Sequence, residues 1–183
     1  MLGAKLIDKL ETAAELMNGT TGLEDNSIIN AIKHTGFDVV YCADIMGYKP
    51  VEEICPDAST IQNIKTMAER SLHFLEVYGP KVLDGFTFKG GYTATVNTGD
   101  GDFTTADTLW DFKVSKAPIK KEHTLQLLMY WRMGLHSIHS EFERIKYLGI
   151  YNPRMNIASR LAVADISTDV IGEVEQEVIV YKA

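Results

Sequence analysis

GDGDFTTADTLWDFKVSKAPIKKEHTLQLLMYW, from Gly99 to Trp131, changes its residue pattern twice. The runs DFT and TLWDFKV carry Thr, Phe, Trp and Val at the density expected of strands, and the polar turn TTAD between them would fold the second back on the first. From Lys121 the pattern turns helical and holds to His136. Side chains two apart share a strand face, so Asp111 and Lys113 of "DFK" point one way while Phe112 points the other way, into a core. The same hairpin would bring Asp102 near Asp111. Two oxygen donors then converge beside a lysine, which describes a hard-cation site next to a phosphate-sized space.

Working outward, Asp57-Ala58-Ser59 opens a helix over Thr60 to Tyr78 with an apolar stripe of Ile61, Ile64, Ala68, Leu72 and Leu75, stopped by Gly79-Pro80. Its other side carries Glu69, His73 and Glu76, stacked at helical spacing. FTFKGGYTATV then has strand texture. After the second helix come the strand candidates IKYLGIY and SRLAVADI, split by a turn at Asn152-Pro153, and a last helical stretch capped by Thr168 or Asp169. The order is helix, three strands, helix, two strands, helix. It implies an α/β fold in which a central mixed sheet is flanked by helices, the helices from Thr60 and Lys121 being its covers.

Upstream, Leu6 to Met17 forms an amphipathic helix with Leu6, Leu10, Ala13, Ala14 and Met17 on one stripe. Ser27 is expected to cap a second helix, Ile28 to His34, ending at Gly36. FDVVYCADIMGYKPVEEICPDAS reads as a connecting subregion. The 183 residues fit a single domain, 1–183, with a helical N-terminal subregion over 1–57 and a core over 58–183.

With 45% hydrophobic residues the chain can bury a sizeable core. No window resembles a membrane span, and the charged start does not resemble a signal peptide, so a cytoplasmic location is expected. Cys42 and Cys55 lack metal-ligand spacing and are expected to be free thiols. A net charge of -7 argues against a general nucleic-acid coating protein. It does not exclude a phosphate enzyme, because a bound metal ion inverts the local sign.

Three short motifs follow one another: Gly99-Asp100-Gly101-Asp102 as G-x-x-D, Asp111-Phe112-Lys113 as D-x-K, and Gln126-Leu127-Leu128-Met129-Tyr130 as Q-x-x-x-Y. In this order and spacing the chain resembles the RecB-type exonuclease branch of the PD-(D/E)XK nuclease superfamily, over roughly residues 60–165. The resemblance implies a restriction-endonuclease-like αβββαβ core and a divalent-metal-dependent DNA nuclease, by its branch an exonuclease, that hydrolyses phosphodiester bonds.

It implies that Asp102 and Asp111 bind Mg²⁺ or Mn²⁺ with the backbone carbonyl of Phe112 as a further ligand. Lys113 would orient or deprotonate the attacking water, and Gln126 and Tyr130 would reach the site or the DNA strand. His73 is the ligand candidate on the preceding helix, with Glu69 and Glu76 as substitutes; the glycine usual upstream of that histidine is missing. Lys116, Lys120 and Lys121 are candidates for tracking the phosphate backbone. Asp100 and Asp107 are expected to shape turns. No P-loop motif occurs, so unwinding would come from a helicase or recombination partner, and homo-oligomers are used by such nucleases. The alternative is a catalytically silent module of the same fold that binds nucleic acid or a protein partner.

Overall fold

The structure, a computed structural model, describes residues 2–42 and 49–181, with side chains for 10–37 and 49–181. Its helices are α1 (Leu2–Asn18), α2 (Asp25–Cys42), α3 (Ala58–Tyr78), α4 (Lys121–Leu135) and α5 (Thr168–Glu173). Its strands are β1 (Leu83–Thr87), β2 (Asp100–Thr104), β3 (Thr108–Phe112), β4 (Tyr147–Asn152) and β5 (Ile157–Ala162). The chain divides into two compact units, Met1–Glu69 and Arg70–Ala183, with the boundary inside α3. No helix among the described residues is long and apolar enough to cross a membrane.

In the first unit α2 starts earlier and runs further than the sequence pattern suggests. Ser27 is not its cap. The Ser27 hydroxyl sits inside the first turn and accepts hydrogen bonds from the Thr21 and Gly22 amides at 2.7 and 2.9 Å, tying down the preceding loop. Gly36 does not end the helix. A Cβ there would lie 2.5 Å from Ile54 Cδ1, so the glycine opens space for packing while the helix continues to Cys42. Leu10 and Met17 of the α1 stripe remain exposed. Asp57 caps α3 as its position suggests: Oδ1 accepts from the Thr60 amide at 2.6 Å, and that bond holds the carboxyl below its ordinary range. Cys55 is a free, exposed thiol, and the Cys42 side chain lies outside the described residues.

In the second unit the five strands lie in sequence order, β1-β2-β3-β4-β5. Only β3 and β4 are parallel; the other three pairings are antiparallel. A parallel pair needs a crossover long enough to traverse a sheet face, and α4 supplies it. Alternation along β3 then sets the two layers. Leu109 faces α4 and joins Leu127, Leu128, Leu148 and Ile150 in one core, while Trp110 and Phe112 face the last turns of α3 and meet Phe74, Phe103 and Tyr151 in the other. The sequence-derived α/β order, mixed sheet and two helical covers are all present.

Details of the edges differ from expectation. Of the strand-like run FTFKGGYTATV only Phe86 and Thr87 pair in the sheet, in a strand that begins earlier, at Leu83; residues 88–99 turn away at Gly90, whose φ is +96°. Asp100 begins β2 and is not a turn residue, whereas Asp107 does hold the turn, its carbonyl accepting from the Lys146 and Tyr147 amides. The last helix is capped by Ser167, whose hydroxyl accepts from the Val170 amide at 3.2 Å, not by Thr168 or Asp169. It passes into a π-helical turn, Val174–Ile179, anchored to α4 by Arg132 and Glu175.

Gly91 passes directly over the end of α4, where a Cβ would collide with the backbone carbonyl of Met133. A backbone obstacle cannot rotate away, so Gly91→Ala should cost about 1–3 kcal/mol, the usual range for overpacking. Thermal unfolding checks it: at about 2–4 °C per kcal/mol for a domain of this size, Tm should fall by roughly 2–12 °C. An unchanged Tm would mean that this loop does not press on α4.

Candidate active site at the end of strands β2 and β3

The register that pairs Phe103 with Trp110 and Thr104 with Leu109 sets Asp102 across from Asp111 on the neighbouring strand. Both carboxylates therefore reach the same end of the hairpin, as its turn suggests. Asp102 Oδ2 accepts from the Phe112 amide at 2.7 Å, an amide that would otherwise end the ladder unpaired. Phe112 thus serves the site through its backbone while its ring packs into the α3-side core.

Asp111 is buried, its side chain only 9% exposed. Its Oδ1 pairs with Lys113 Nζ at 2.9 Å, whereas Oδ2 has no hydrogen-bond partner among the described residues. Burial pushes its carboxyl above the ordinary 3.8, and the negative charge of Asp102 adds to that; Lys113 and the His123 imidazole work in the opposite direction. A buried carboxylate oxygen without a donor, beside a second carboxylate, is an arrangement that a cation or a proton relieves.

Lys113 continues the contact outward. Its Nζ donates to Gln126 Oε1 at 3.2 Å, and Gln126 Nε2 donates to the Tyr130 hydroxyl at 3.0 Å. Gln126 and Tyr130 stand one turn apart on α4, so the helix that covers the sheet also lays this polar row against the end of β3. The Tyr130 ring is itself held against Phe88, with centroids 4.7 Å apart. Asp111, Lys113, Gln126 and Tyr130 form one unbroken polar chain, with Asp102 across from its inner end.

His73 is not joined to this chain. Its ring stands 74% exposed on α3 and pairs with Glu76 at 3.1 Å; Glu69 and Glu76 are exposed as well. Phe74, the next residue, is the one α3 buries most fully against the sheet, with Leu75 and Tyr78 packed beside it. Among the described residues no group of three His, Cys, Asp or Glu side chains stands close enough to hold a metal ion. Asp102 and Asp111 are thus the acidic pair available to a cation, and the orphaned Asp111 Oδ2 is the observation that fits one. Lys116, Lys120 and Lys121 are exposed around the entrance of α4 and form no ion pair among the described residues.

One residue of the site carried no motif. His123, in the first turn of α4, lies near enough to Asp111 for its imidazole to favour the ionised carboxyl. Its spacing of three from Gln126 and seven from Tyr130 was the available signal, since the three fall on one helix face. No family model, curated protein or solved structure matches the chain.

Proposed function

We propose that the chain is a divalent-metal-dependent DNA nuclease, an exonuclease by its resemblance, built on a restriction-endonuclease-like core. The observation that carries the reading is the buried Asp111 with its unpartnered Oδ2, opposed by Asp102 and tied through Lys113 to Gln126 and Tyr130. The order α3-β1-β2-β3-α4-β4, with β3 parallel to β4, supports the core assignment because it puts G-x-x-D, D-x-K and Q-x-x-x-Y on two adjacent strands and the helix above them.

Asp102 and Asp111 would hold Mg²⁺ or Mn²⁺, both of which favour hard oxygen donors. The bound ion would supply Lewis-acid charge stabilisation and make a bound water easier to deprotonate. Lys113, positioned by Asp111 on one side and Gln126 on the other, presents its ammonium to the non-bridging oxygens, whose negative charge grows as water adds to phosphorus and the P–O bond to the sugar breaks. Gln126 limits the freedom of Lys113, and Tyr130 limits that of Gln126. Each restraint is set before substrate arrives. Lys116, Lys120 and Lys121 offer charge to the flanking phosphates, offsetting the net negative charge of the chain where the strand would lie.

The test is Mg²⁺- or Mn²⁺-dependent degradation of linear DNA by wild type and by Lys113→Ala. Wild type should cleave and Lys113→Ala should lose on the order of 10²- to 10³-fold in kcat, as when one transition-state donor is removed. A wild type inert on linear duplex, single-stranded DNA and RNA in either metal would sink the reading. The silent module of the same fold is the second reading, favoured by the presence of only two converging acids among the described residues.

A further inference from the structure

Among the polar groups of the second unit, His123 is held in a way that its role in the helix does not use up. The His123 amide donates to the Lys120 carbonyl at 3.1 Å, and Nδ1 accepts from the Lys120 amide at 3.2 Å. An N–H donor at Nδ1 requires Nδ1 to be the acceptor, which leaves the proton of the neutral ring on Nε2. Among the described residues Nε2 has no hydrogen-bond partner. The ring is half-buried and held at Nδ1, so Nε2–H is an oriented donor that nothing among the described residues receives.

Helix spacing sets which face carries it. His123, Gln126 and Tyr130 lie at i, i+3 and i+7 on α4, and the latter two already face Lys113. Lys116, Lys120 and Lys121 crowd the same entrance. We infer that His123 is a substrate-binding residue, donating Nε2–H to a non-bridging oxygen of a DNA phosphate that lies beside the Lys113 ammonium. This deepens the nuclease reading and rests on it. It assigns to the first turn of α4 an oriented contact with the strand, beside the three lysine charges.

Steady-state cleavage of linear DNA in Mg²⁺ by wild type, His123→Ala, His123→Gln and Lys113→Ala tests it, at a temperature where unfolding curves show each variant fully folded. The hydrogen bond has a charged acceptor, so His123→Ala should lose about 10- to 100-fold in kcat/KM, chiefly through KM. His123→Gln keeps both an acceptor for the Lys120 amide and an N–H donor, and should stay within about 3-fold of wild type. A residue that only closes the helix turn would leave kcat/KM unchanged in every folded variant. Normal cleavage by His123→Ala, or a loss that His123→Gln does not restore, overturns the inference; if Lys113→Ala is then still inactive, the nuclease reading survives it. An inert wild type overturns both together.

Discussion

Asp111→Asn is expected to abolish metal-dependent cleavage and, in the same protein, to raise the melting temperature without metal. Both effects have one cause. The Asp111 carboxylate is buried, one oxygen lacks a donor, and Asp102 faces it, so the charge that would hold a cation is a charge the fold bears at a loss. An amide at this position removes the charge and can donate to Asp102. Relief of one unsatisfied buried acceptor is worth about 1 kcal/mol or more, hence a rise of roughly 2–4 °C. Activity should fall on the order of 10³-fold, since the inner acid of the pair and the orienting partner of Lys113 go together.

The pH dependence carries a definite sign. The folded carboxyl titrates above its unfolded value of 3.8, so the folded state binds the proton more tightly. Well below 3.8 the group is protonated in both states and the substitution should matter little. As pH rises through the window above 3.8 the wild type takes up the cost of the buried charge and Asp111→Asn does not. The gap in Tm should therefore open with rising pH and level off above the folded value. Mg²⁺ or Mn²⁺ should close it from the other side, raising the Tm of wild type and not that of Asp111→Asn. A variant less stable than wild type at neutral pH would mean that the Lys113 pairing outweighs the burial.

How much of this was legible in the sequence depended on whether a feature was local. The strand period of TLWDFKV and the turn TTAD were enough to put Asp111 and Lys113 on one face and Asp102 across from Asp111, because a hairpin is decided by residues within about a dozen positions. That Gln126 and Tyr130 share one helix face was legible for the same reason; that this face meets Lys113 depends on how α4 lies over the sheet, and in the sequence it was only what the resemblance implies. What failed was set by distant packing. Gly36 looked like a helix stop, yet its missing side chain makes room for Ile54. His73 looked like a ligand from its place on the helix before the strands, yet the helix is rotated so that Phe74 enters the core and His73 faces solvent. Rotation of a helix about its axis is chosen by the largest side chain that must be buried, and the sheet that buries it lies far along the chain.

Phe74→Ala should accordingly give the largest loss of stability of any single truncation on α3. The stripe Ile61, Ile64, Ala68, Leu72, Leu75 passes it by, and Leu72 at 55% exposure contributes little, whereas Phe74 is 3% exposed. Its ring stacks on Tyr151 at 4.1 Å and meets Trp110 edge-on at 4.7 Å, with Tyr78, Phe103 and Phe112 completing the cluster. Removing it deletes the apolar area and opens a cavity between five rings that cannot all close inward, a cost of about 3–5 kcal/mol. Thermal unfolding should show a fall of roughly 6–20 °C. The effect should also reach the chemistry: Phe112 rests on Phe74 and lies between Asp111 and Lys113, so the variant should lose kcat even where it is fully folded. Phe74→Leu, which refills most of the volume, should recover most of both. A Phe74→Ala protein that unfolds within about 2 °C of wild type would place the support of β3 elsewhere, on Trp110 and Tyr151 alone.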